Sequence, residues 1–231
     1  MISSQNIASQ RTNESLGEDA KSPCKIYETK TQQGLESISN PATQLVVWER
    51  SISSNLDVWL QNLHPSHLPS LRVLVEPSKF RTAVRLKLGR HIKSDQVLWD
   101  LFIEDVESLV FTYAKITSAK LVDVRLEKIN DNACCKFHRD FVKTRLLTTY
   151  RGPNTEWIRP EYSEQAICQQ KHYIGPIEKL PTYGVLIFRG NVGKIETGIV
   201  HRSPPIENTG HNRLLLCLNE ESEMSPGQWI S

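Results

Sequence analysis

Residues 134–157 read CCKFHRDFVKTRLLTTYRGPNTEW. Near the start of this stretch, His138 and Asp140 stand two residues apart among apolar, β-compatible neighbours. Side chains at i and i+2 of a strand leave the same face, so this imidazole and this carboxylate point together. They make half of a metal site. The other half is expected from His201, in the run GIVHRSPP. Two imidazoles and one carboxylate would cap one side of a metal and leave its other positions open.

Working outward, the apolar period changes just before this stretch. Residues 95–116 carry Leu98, Phe102, Val106, Leu109 and Tyr113 as one stripe, the spacing of an amphipathic helix that Ser94 or Asp95 can cap. Shorter helices are expected over 52–63 and 79–88, and strands over 44–48 and 71–75. His64 and His67 fall in the Pro-rich turn HPSHLP, where a capping or solvated role outweighs metal ligation. From residue 121 the period becomes two: Val122, Val124 and Leu126 alternate with Asp123, Arg125 and Glu127. Strand signals recur at TRLLTTY, 183–188, 196–201 and 212–219, divided by turns rich in Gly, Pro and Asn. The segment 159–181 reads as a polar, irregular loop over one mouth of the fold. Helices first and strands afterwards argue an α+β domain with a sandwich or barrel core.

At 231 residues the chain can build one sizeable core. Residues 1–40 are polar and poor in aromatics, so they are expected to be a disordered tail, with a single domain over 41–231. The net charge of +2 is dispersed, which gives no reason to expect nucleic acid or a membrane surface as a partner. No apolar run reaches the length of a membrane span, and the first residues lack the apolar core of a signal peptide. Five cysteines, two of them adjacent at 134 and 135, suit a reducing compartment, so the expected location is cytoplasmic. A phosphate-cradling glycine loop, a serine elbow and a CxxC pair are all missing. Nothing in the sequence specifies an oligomeric state.

Twelve residues after His201, Arg213 opens the last strand signal. Beside a metal, its guanidinium could grip the far carboxylate of a dicarboxylate cosubstrate. The plainer reading is a hairpin-end cation facing solvent. Arg145 and Glu156 read as structural, with room to line a cavity, and Arg202 as structural or as a contact for an anionic substrate.

The order of helix, strands, His-x-Asp, distal His and Arg resembles the double-stranded β-helix of 2-oxoglutarate- and Fe(II)-dependent dioxygenases, over residues 121–219. FHRD, RLLTTYRGP, TEW and HRSPP are similar to a bacterial family known as a domain of unknown function. The resemblance implies a jelly-roll or cupin-like core buttressed by the N-terminal helices. It further implies Fe(II) on His138, Asp140 and His201, and 2-oxoglutarate held by Arg213 with a hydrogen bond from Tyr150. Cys134 and Cys135 leave zinc as an alternative metal, since zinc accepts mixed sulfur, nitrogen and oxygen ligands. The activity expected is an oxygenase of unspecified substrate. A zinc protein and a non-catalytic interaction module are the alternatives.

Overall fold

The structure, a computed structural model, describes residues 25–89, 95–191 and 198–230. Ten strands and four α-helices follow in the order β1 (Lys25–Thr29), β2 (Thr43–Trp48), α1 (Ser54–Asn62), β3 (Leu71–Val75), α2 (Phe80–Leu88), α3 (Gln96–Thr117) and β4 (Val122–Ile129). The second half adds β5 (Thr144–Arg151), β6 (Glu156–Ile158), α4 (Ser163–Gln169), β7 (Glu178–Lys179), β8 (Val185–Arg189), β9 (Val200–Arg202) and β10 (Arg213–Glu220). Among the described residues no helix is long and apolar enough to cross a membrane.

The strands form a seven-stranded sheet in the order β1-β2-β8-β5-β10-β4-β3 and a three-stranded sheet in the order β7-β6-β9. All pairs are antiparallel except β1 with β2. From β4 onward the chain repeatedly crosses between the sheets: β5, β8 and β10 join the large one, and β6, β7 and β9 the small one. Residue 138 adds a bridge to the free side of β9. This winding is the double-stranded β-helix, set in an α+β domain.

Side-chain alternation divides the molecule into layers. One face of the large sheet, including Val124, Leu146, Ile187 and Leu216, packs with Leu60, Ala83, Phe102 and Val106 from α1, α2 and α3. The other face, including Leu147, Phe188, Leu215 and Cys217, packs against Trp157 and Ile199 of the small sheet. The stripe expected on the long helix is therefore core. Of the two residues considered for its cap, Asp95 accepts hydrogen bonds from Val97 N and Leu98 N, and Ser94 lies outside the described residues. His64 Nδ1 likewise accepts from the Ser66 backbone, which is the capping role expected of it.

Two expectations need correction. Part of the expected polar tail, 25–40, is ordered: β1 lines the edge of the large sheet, and a 3-10 helix over Gln32–Ser39 buries Leu35 and Ile38. Three residues per turn puts positions 35 and 38 on one side, so two apolar residues suffice to dock the segment. Residues 1–24 lie outside the described residues. The segment 159–181 is no irregular loop, because α4 and β7 fold within it over a small core of Phe137, Ile158, Ala166, Tyr173 and Val200.

Between sheet and helices lies a largely buried polar network. The Arg50 guanidinium spans both oxygens of Asp105 at 2.5 and 3.0 Å, and the Tyr150 hydroxyl donates to Asp105 Oδ2 at 2.5 Å. Removing one member of a buried ion pair strands the other in low dielectric. Asp105→Ala is therefore expected to cost about 3 kcal/mol in denaturant unfolding. Because this network sits on the helix face, affinity for divalent metal should not change.

Candidate metal centre

His138 and His201 are direct cross-strand partners. Each backbone N–H donates to the other's carbonyl at 3.0 Å, and the rings lie 4.6 Å apart between centroids. On its other side β9 pairs with β6, placing His201 opposite Trp157. Outside the 138 segment, Gln170 substitutes for a neighbouring strand: its amide accepts from Phe137 N at 2.9 Å and donates to Phe137 O at 3.0 Å. Asp140 then turns in beneath the two rings. His138 Nε2 lies 3.5 Å from Asp140 Oδ1, and His201 Nε2 lies 3.1 Å from Asp140 Oδ2. The three ligating atoms fall within 4.8 Å of one another, and no other such set occurs among the described residues. Metal–ligand bonds of about 2.0–2.2 Å suit this separation.

The surroundings fix the ligands in a metal-ready form. His138 Nδ1–H donates to the Lys136 carbonyl at 2.7 Å, and His201 Nδ1–H to the Ile199 carbonyl at 3.2 Å. Both Nε2 atoms are thereby directed at Asp140, the arrangement that orients histidine ligands in metal sites. Gly190 closes the site from behind, where an added Cβ would lie 2.2 Å from Val142 O and 2.8 Å from Asp140 O. Asn191 N donates to the Asp140 carbonyl at 2.7 Å. Asp140 is only 8 % exposed, and although Oδ2 has cations in ion-pair range, none meets it at a hydrogen-bonding angle. A buried carboxylate with one oxygen facing the His138 imidazole and the other facing His201 fits a divalent cation held between the three.

Charge at the site follows the same logic. Burial pushes the Asp140 carboxyl up, but His138, His201 and Arg145 outweigh it and hold the group well below the usual carboxylate range. The Asp140 carboxylate in turn raises His138 against the opposing effect of burial. A metal must expel the proton that His138 favours. Affinity for Mn(II) is accordingly expected to fall as pH drops through the His138 range, above the usual value of about 6.5. Calorimetric titrations at pH 6, 7 and 8 measure it.

A cavity of about 350 Å³ opens over the triad, lined by His138, His201, Arg145, Leu147, Thr155 and Ser203 among others. Next to it Arg213 is fully buried (0 % exposed). Its Nε donates to the Pro153 carbonyl at 2.7 Å, its Nη1 to Ser203 Oγ at 2.6 Å, and its Nη2 to the Thr149 and Thr155 hydroxyls at 3.4 and 3.2 Å. Gly152, at φ +82°, passes so close that a Cβ there would sit 3.0 Å from Arg213 Cγ. None of these partners carries charge, and burial pulls the guanidinium down to about 10. Arg213 is thus a core cation whose neighbours line a cavity, which rules out the solvent-facing alternative.

The sequence profile of the family described as Protein of unknown function (DUF1826) matches residues 29–219. The chain belongs to that family. No curated protein is similar to it in sequence. Among solved structures, it is similar to the dioxygenase for auxin oxidation 1 from Arabidopsis thaliana, solved with 2-oxoglutarate, at 8 % identity and a TM-score of 0.50. That likeness covers 88 % of this chain and 95 % of the other. A Kdo hydroxylase, a non-haem Fe(II) α-ketoglutarate-dependent dioxygenase solved with cobalt(II), gives 9 % identity and a TM-score of 0.45, over 86 % and 89 % of the two chains. At such identities the likeness concerns the fold.

Within this DUF1826 domain the expected site residues separate. His138, Asp140 and His201 converge, and Arg213 lies in the same layer. Tyr150 does not join them. It faces the helices, edge-on to Phe102 at 4.9 Å and bound to Asp105, because an even-numbered β5 residue leaves the sheet opposite Arg145, Leu147 and Thr149. Neither Cys134 nor Cys135 belongs to the ligand cluster, so the mixed sulfur set considered for zinc is not assembled. Arg202 donates to Glu156 at 2.8 Å and stacks 4.1 Å over Phe137, and it also lines the cavity. Arg145, expected to be structural with room to line the cavity, does line it and reaches Asp140.

Proposed function

We propose that this protein is an Fe(II)/2-oxoglutarate-dependent oxygenase, with His138, Asp140 and His201 as the metal ligands and Arg213 as the cosubstrate clamp. The observation that carries the reading is Arg213: a buried guanidinium beside a metal-ready triad, bound only by neutral groups. Keeping a charge out of water without a counter-ion is costly, and a carboxylate brought in by a ligand offsets that cost. A dicarboxylate with one end at the triad and the other at Arg213 meets both demands.

Iron(II) bound at the triad would supply activation of O₂, with 2-oxoglutarate oxidised to succinate and CO₂ as the substrate takes up oxygen. The remaining work belongs to the chain. The Lys136 and Ile199 carbonyls keep both imidazoles turned inward. The hydroxyls of Ser203, Thr149 and Thr155 hold the Arg213 fork at a fixed angle, which sets the orientation of any carboxylate it grips. Leu147, Leu215 and Phe188 form an apolar wall that keeps water from the reacting end. The test is equilibrium binding of 2-oxoglutarate to protein saturated with Mn(II), compared with metal-free protein. Binding that requires the metal supports the proposal, and equal or absent binding in both samples rejects it.

A further inference from the structure

Arg145 is a half-buried cation that the proposed chemistry does not yet use. It projects from β5 on the cavity side, and its Nη1 lies 2.5 Å from Asp140 Oδ2. Behind it, Nε donates to Asn219 Oδ1 at 2.7 Å. Asn219, 7 % exposed, sits directly opposite Arg145 in the β10–β5 ladder, so the strand register itself braces the guanidinium. The Asp140 carboxylate is divided as a result. Oδ2 is flanked by Arg145 and His201, while Oδ1 faces His138.

We propose that Arg145, braced by Asn219, is a positioning residue that reserves one oxygen of Asp140 and limits that ligand to a single bond with the metal. This rests on the metal reading above. The reason lies in counting positions. Two imidazoles and a two-point carboxylate fill four of six places around an octahedral ion, and a cosubstrate bound through two atoms takes the last two. Two imidazoles and a one-point carboxylate fill three, so one place stays open beside the cosubstrate. A guanidinium is suited to this task because it stays charged at every working pH and holds the oxygen by ion pairing. Its charge also opposes the metal at close range, so some affinity is given up for the vacant place.

The test uses the full chain loaded with Mn(II) and saturated with 2-oxoglutarate, reading exchangeable metal-bound water by the relaxation of water protons. The wild type is expected to keep one such water. Arg145→Gln is expected to lose it, while its Mn(II) affinity rises at least about fivefold because a like charge has gone. Arg145→Lys keeps the charge and should retain the water. Should Arg145→Gln fail to fold, Asn219→Ala removes only the brace, and its water signal is expected to fall between the two. A role in stability alone predicts weaker Mn(II) binding and unchanged water relaxation in the folded variants, which would overturn the proposal. If the wild type binds no Mn(II), the metal reading and this one fall together. If it binds Mn(II) and the variants match it, only this one falls.

Discussion

Arg213→Ala is expected to weaken 2-oxoglutarate binding to the Mn(II)-loaded protein by at least about thirtyfold, the low end of the cost of deleting one partner of a buried, hydrogen-bonded charge pair. Metal affinity should stay close to wild type, because the guanidinium bonds only to Pro153, Ser203, Thr149 and Thr155 and touches none of the three ligands. The substitution also removes a large side chain from the core, so Arg213→Met, which keeps most of the volume without the charge, belongs beside it. Both variants should lose the cosubstrate. Parallel loss of metal and cosubstrate in the Met variant would mean that Arg213 supports the fold alone.

Asp140→Ala should have the larger consequence. It removes the only anionic ligand and leaves Arg145 with Asn219 as its remaining side-chain partner near the site. Loss of outer-sphere partners alone weakens metal sites by about 10–100-fold, so loss of this ligand is expected to exceed about a hundredfold in Mn(II) affinity. Binding of 2-oxoglutarate should fall with it, because one end of the cosubstrate then has nothing to bind. Equilibrium dialysis measures both. Retention of metal by the folded variant would place the true site elsewhere.

The sequence made the triad legible because its geometry is local. A two-residue spacing in an extended segment puts His138 and Asp140 on one side whatever the rest of the chain does. His201 required a long-range pairing, and the only hint was its place in the penultimate strand signal. The facing of Tyr150 is not legible in the same way. Both faces of β5 are buried, so TRLLTTY has no polar alternation to mark which face looks at the site. Parity with Arg213 is defined only by the β10–β5 register, which the folded sheet sets. Arg145 is legible only as a structural residue that could line a cavity, because its contact with Asp140 depends on how the two segments fold together. The 3-10 helix over Gln32–Ser39 is not legible in the sequence because two apolar residues in a polar segment carry no periodicity.

If the triad and Arg213 serve one reaction, succinate forms from 2-oxoglutarate in air. Wild-type protein loaded anaerobically with Fe(II) should produce succinate on admission of O₂, even without its substrate when ascorbate is present to reduce the second oxygen atom to water, and neither Asp140→Ala nor Arg213→Met should exceed the protein-free background. Succinate at that background level from wild type that binds both Fe(II) and 2-oxoglutarate, across a broad set of added substrates, would contradict the account.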